Sequence, residues 1–158
     1  MRRILLCLAA AALVAASSAA RAGCDSGSVV LEDKFTDDNG GWAINPAVEV
    51  KDGRFVFKLP ADDMQSDLNV TFDVTDADIC SEAVWPDGGD KVLGAGLLFW
   101  GEDTRSYFQF GILNSGKYWI ARREDGKWHT VVENVPSAAI KTKPGESNTL
   151  RVQASGNF

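Results

Sequence analysis

Histidine occurs once in this chain, at position 129, and cysteine only three times. No stretch repeats apolar side chains at the three-and-four spacing of an amphipathic helix, so a helical bundle is excluded. There is no G-x-S-x-G elbow, and nothing in the sequence pairs the lone histidine with a nucleophile. Two cysteines with no histidine near them do not make a zinc site. Basic charge is also short: 16 Lys and Arg stand against 22 Asp and Glu. A net charge of −6 gives no basic footprint for phosphates or anionic lipid, so neither nucleic acid nor a membrane surface is an expected partner. Long apolar runs are missing too. The longest, Ile4 to Ala16, falls short of the ~20 residues that span a bilayer with ease.

That run has another reading. Arg2 and Arg3 precede it, and Ala20-Arg21-Ala22 follows as a small-x-small cleavage pattern, so residues 1–22 read as a signal peptide. A lipoprotein would need a lipobox ending at Cys24, and Arg21 stands where its leucine belongs. Cleavage removes three basic residues and no acid, taking the net charge to −9. The expected location is the periplasm or the exterior, with no membrane insertion after signal removal. Cys7 leaves with the leader. Cys24 and Cys80 remain, and an even pair in an exported chain is expected to form a disulfide.

Residues 23–158 suit one domain. Their recurring signal is alternation at period two, broken by Gly, Asp and Asn. Strands are expected at Val29–Phe35, in AVEV and RFVFKL around Asp52-Gly53, and in DLNVTFDV and ADICSEAVW. VLGAGLLFW, SYFQFGIL, YWIARR and WHTVV follow through short turns, and NTLRVQA comes last. About ten antiparallel strands without helices imply an all-β, two-sheet sandwich, with jelly roll as the expected architecture. The last strand is followed by a Ser-Gly turn with no return arm, so the domain reads as truncated at its C-terminus.

The series F-x-D-D-N-G-G-W, V-K-D-G-R-F-V-F-K-L, A-G-L-L-F-W, Y-F-Q-F-G-I, G-K-Y-W-I, D-G-K-W and N-T-L-R-V-Q-A-S-G-N resembles bacterial exported concanavalin-like and laminin-G-like jelly rolls. Among these are the modules grouped with 3-keto-disaccharide hydrolases. The resemblance covers roughly residues 29 to 157 and rests on turn and core positions. It implies the fold, and it brings in glycan recognition on a concave sheet. It assigns no catalytic residue, because fold and activity separate readily on such scaffolds.

Alternation sorts the aromatic-rich stretch into two faces. Phe108, Phe110 and Ile112, with Leu97, Phe99, Tyr118, Ile120, Trp128, Leu150 and Val152, are expected to fill the core. The other face collects Trp100, Tyr107, Gln109, Trp119, Arg123, His129, Arg151 and Gln153. Flat rings beside amide and guanidinium donors suit a pyranose, whose C–H face stacks while its hydroxyls accept and donate. Two blander readings remain beside this one: the tryptophans lie under a covering loop, or they are incidental half-exposed surface.

Catalytic groups are sparse. Glu82 is the one carboxylate on the displayed face worth following, with Asp78 at the same parity, and two-carboxylate glycoside hydrolysis needs a partner for it. His129 reads as a hydrogen-bonding group. Residues 62–90 carry nine carboxylates and no Lys or Arg, and TDDN at 36–39 offers Asp37 and Asp38. Hard oxygen ligands on loops could hold a structural Ca²⁺, although no spacing matches a named calcium loop. No other cofactor is expected. The leading reading is therefore a non-catalytic saccharide-binding module, monomeric or part of a larger chain. The alternatives are a glycoside-processing hydrolase of the 3-keto-disaccharide type and a structural or protein-interaction domain.

Overall fold

The computed structural model describes residues 28–38, 40–58, 64–69, 71, 73–87 and 91–156. Residues 1–22, the expected leader, and Cys24 lie outside them. The described chain is all-β, with eight antiparallel strands and no helix. The strands are β1 (Val48–Lys51), β2 (Arg54–Phe57), β3 (Ala77–Val84), β4 (Gly94–Asp103), β5 (Ser106–Leu113), β6 (Lys117–Glu124), β7 (Lys127–Pro136) and β8 (Ser147–Ala154). Strands β4 to β7 form one sheet in sequential order, a meander whose turns need few residues. Strand β8 returns to pair with β3.

Turn chemistry explains the hairpins. Asp52 and Gly53 both adopt left-handed φ (52° and 69°), as a type I′ turn requires, and Asp125-Gly126 does the same between β6 and β7. At the β1–β2 hairpin Phe55 gathers the rings of Phe35, Trp42 and Phe57, with centroids 5.1–5.6 Å away. The indole N–H of Trp42 donates to Asp33 Oδ2 at 2.8 Å.

Among the described residues, two expected strands are not seen. Within Val29–Phe35, Asp33 Oδ1 accepts the Phe35 N–H at 2.7 Å, and Phe35 sits at φ 51°. Along Asp67–Val74, Asn69 Oδ1 takes the Thr71 N–H at 3.0 Å, and Asp67 Oδ2 takes that of Ala43 at 2.8 Å. Short polar side chains have claimed backbone donors that a ladder would have used, the familiar competition of Asn and Asp with regular structure. Val70 and Phe72 of that segment lie outside the described residues.

The β3–β8 pair packs on the four-stranded sheet, chiefly against β4, and the core lies between the two layers. Trp85, Ile112 and Leu150 are buried there, with Ala83, Leu93, Ala95, Leu97, Phe110, Tyr118 and Ile140 packed around them. Trp85 donates its indole N–H to Lys141 O at 2.7 Å, and its own carbonyl accepts the Gly145 N–H at 3.0 Å. Asn148, the one buried polar side chain among the described residues, both donates to Lys141 O and accepts from Lys141 N. These bonds fasten the 137–146 segment across the end of the sandwich. Phe110 and Ile112 fill the core as alternation requires.

Bulges change the rest. In β4 the register breaks between Phe99 and Asp103, and Trp100 takes φ 47°. On β7, Thr130 pairs with Ala121 and Val132 with Ile120, which leaves Val131 as an extra, 55% exposed residue. A bulged outer strand resists further edge pairing.

Candidate functional site

The outward face of the four-stranded sheet is set by register. Gly96, Gly111 and Trp119 lie in one row across β4, β5 and β6, Leu98, Gln109 and Ala121 in the next. Tyr107 and Arg123 follow, joined by Trp128 of β7. The indole of Trp119 rests over Gly111, where any Cβ would collide with its six-membered ring. Its far edge reaches Gly94, where a Cβ would stand 3.2 Å from Cη2. The ring therefore lies along the backbone of the neighbouring strands, because those positions carry no side chains. Gly94 and Gly96 beside it are exposed. Neither the Trp119 indole N–H nor the Gln109 amide is engaged by another described side chain, and neither is buried.

Tyr107 shares this face but is not displayed. It is 2% exposed, under the ring of Trp128 at 5.7 Å in an edge-on contact. Arg123 covers both rings, its guanidinium carbon 5.8 Å from the Tyr107 centroid and 5.5 Å from that of Trp128. Its Nη1 donates to Thr104 O at 3.1 Å and more distantly to Tyr107 Oη at 3.4 Å. Trp128, expected in the core, stands instead on this outer face, 42% exposed. Strand alternation placed Tyr107 on the correct face, and the two neighbours that bury it come from β6 and β7.

Four of the eight sequence-derived binding residues thus come together: Tyr107, Gln109, Trp119 and Arg123. The other four go elsewhere. The β4 bulge swings Trp100 to the opposite side, edge-on to Phe108 at 5.8 Å and beside Phe99, with its indole N–H donating to Thr75 O. His129 pairs with Arg122 in register, one position out of step with the Trp128 row, and lies 3.9 Å from Glu124. Arg151 and Gln153 do point outward, but from the β3–β8 layer, on the far side of the sandwich from Trp119. Alternation separates inner from outer; it does not say to which layer a strand belongs.

On that far layer Arg151 forks onto Asp78, with Nε to Oδ1 at 2.8 Å and Nη2 to Oδ2 at 2.5 Å. The hydrogen bonds from Arg151 hold the Asp78 carboxyl below its ordinary value of 3.8 and raise the guanidinium in turn. A carboxylate whose folded pKa is depressed contributes stability above its unfolded pKa, and that contribution disappears as pH falls through the folded value. Asp78→Asn is thus expected to lower the thermal midpoint at pH 6, with the gap to wild type closing below about pH 4. A gap that persisted unchanged at pH 2 would mean that the pair does not act through ionisation. Both groups are partly exposed, so the effect is small.

Glu82 accepts a hydrogen bond from Ser147 Oγ at 3.2 Å on this same outer surface. Asp78, the other carboxylate of β3, is four residues along the strand, or about 13 Å at the usual rise. That exceeds the separation used by retaining or inverting glycosidases. Asp37 and Asp38 are exposed in the 36–38 turn, and among the described residues no three His, Cys, Asp or Glu side chains converge as a metal site. Cys80 on β3 is not a free thiol; its expected partner Cys24 lies outside the described residues. Comparison with known proteins returns no match to a family model, a curated protein or a solved structure.

Proposed function

We propose that this chain is an exported, non-catalytic β-sandwich module that binds a saccharide on the outer face of its four-stranded sheet. The observation that carries this reading is Trp119: a broad ring laid along a glycine-lined sheet surface, with the Gln109 amide one row away. Such a ring covers the apolar face of a pyranose, and an unengaged amide can both donate to and accept from its hydroxyls. The arrangement needs no induced fit, because backbone and not a mobile loop supports the ring. The glycan chemistry agrees with the resemblance to concanavalin-like jelly rolls, and the leader with a periplasmic or secreted site of action. In that compartment Cys80 would pair with Cys24. The spacing of Glu82 and Asp78 favours binding over hydrolysis.

A glycan array of plant and bacterial polysaccharides, followed by calorimetry, tests the reading. Trp119→Ala is expected to weaken binding about thirtyfold, the scale of a tryptophan hot spot, while costing ~1 kcal/mol or less in stability. Gly111→Ala should act in the same direction from beneath, since its methyl group must displace the indole from its seat. Binding that survives both changes would remove the platform from the mechanism. Release of reducing sugar would replace the module with an enzyme.

A further inference from the structure

The least explained group on this face is Arg123. Its Nε is buried and has no hydrogen-bond partner. Its Nη1 is occupied by Thr104 O and Tyr107 Oη, and two aromatic rings flank the guanidinium carbon. No described ion pair includes it, whereas the adjacent Arg122 pairs with Glu124 and Arg151 with Asp78. A partly desolvated guanidinium without a counter-ion is unfavourable in the free protein, and an arriving anion relieves that cost. On β4 to β6 the other outward charge has the same sign, whereas on β7 the exposed Glu133 falls opposite Trp119, between the Val132–Ile120 and Val135–Tyr118 pairs. From Gly94 to Leu98, Tyr107 to Leu113 and Lys117 to Arg123, the outward side chains include the cations Lys117 and Arg123 and no carboxylate. This cationic row belongs to a chain of net charge −6.

Resting on the saccharide-platform reading, we propose that the ligand is an acidic oligosaccharide whose carboxylate or sulfate is held by Arg123 while another of its sugar rings stacks on Trp119. The two side chains are four residues apart on β6, about 13 Å along the strand, too far for one pyranose ring to touch both. A monosaccharide therefore engages only half the site. Lys117 lies two residues from Trp119 on the outward side of β6, away from Arg123, and adds a second, solvated positive charge. It strengthens attraction at low salt without fixing orientation, whereas the planar guanidinium with its ring supports is pre-set for a planar or tetrahedral oxyanion.

Calorimetric titration of matched pairs tests this. Oligogalacturonate is compared with the same oligomer fully methyl-esterified, and oligomers of a sulfated galactan with their desulfated forms. The acidic member of at least one pair is expected to bind about tenfold more tightly, and whichever pair shows the difference identifies the anion as carboxylate or sulfate. That preference should shrink as salt rises from 20 to 200 mM, over which screening shortens to roughly 7 Å. Arg123→Gln should remove the preference by weakening the acidic member far more than the neutral one; Arg123→Lys should retain part of it. Because Arg123 also covers Tyr107, the variants are compared only after their unfolding curves show a folded protein. The wild-type comparison needs no variant. Equal binding of acidic and neutral members overturns the inference and leaves the platform intact, whereas a preference that survives in Arg123→Gln moves the anion site elsewhere. No binding by either member of any pair, with none on the array, overturns both.

Discussion

Trp85→Ala is expected to destabilise the domain by about 3–5 kcal/mol in urea denaturation, the usual cost of deleting a buried tryptophan. The side chain is 3% exposed and lies where the two layers meet, against Ile112 of β5 and Leu150 of β8. Few residues of the described core are so fully enclosed, so the neighbours have little means of refilling the space. The loss reaches beyond the cavity. The indole N–H is one of the two donors on Lys141 O, the other being Asn148, and that carbonyl anchors the segment closing the sandwich. Trp85→Phe separates the contributions: most of the volume remains and one hydrogen bond goes, so about 1–2 kcal/mol is expected. Similar costs for the two variants would assign the effect to the hydrogen bond. A cost below ~1 kcal/mol for alanine would mean that the layers are not held together here.

Tyr107→Ala should be as damaging, although this tyrosine lies on the outer face. An expected loss of about 3–5 kcal/mol follows from its 2% exposure, beneath Trp128 and Arg123. Removing the ring exposes more of Trp128 and leaves the Arg123 guanidinium with one supporting ring instead of two. Tyr107→Phe keeps the ring and gives up only the long contact at 3.4 Å, so a change of about 0.5 kcal/mol is expected. Together with Trp119→Ala, these variants divide the outer face by function. Tyr107 stabilises the end of the sheet and fixes the guanidinium, and Trp119 is the displayed surface. Should Tyr107→Ala leave the denaturation midpoint where it was, the outer face would be looser than its geometry implies.

The division between a displayed and a filled ring was not legible from β5 alone. Tyr107 and Gln109 alternate in SYFQFGIL as outward residues, and both do point outward. Burial of the first comes from Arg123 and Trp128, one and two strands away, brought there by the antiparallel register. The bulge that turns Trp100 inward lies in LFWGED, where no turn residue precedes the tryptophan to announce it. Nor does the sequence reveal that the Trp119 ring has a seat, since Gly111 and Gly94 meet beneath it only once β4, β5 and β6 are aligned.

The sequence by itself determined the strand content from β3 onward, the hairpin turns at Asp52-Gly53 and Asp125-Gly126, and the inward set led by Phe110, Ile112 and Leu150. Each follows from local physics: side-chain alternation, left-handed turn residues, and the cost of exposing apolar groups in a repeating pattern. It also pointed to strands at Val29–Phe35 and Asp67–Val74, whose described residues are in none, because Asp33, Asn69 and Asp67 offered the backbone local partners. Only the tertiary structure decided which outward residues share a surface. Arg151 and Gln153 have the same outward parity as Trp119, yet they belong to the other layer, because β8 pairs with β3 across a sequence separation that no local pattern encodes. What remains together, Trp119 over its glycines and Arg123 over its two rings, is a product of register.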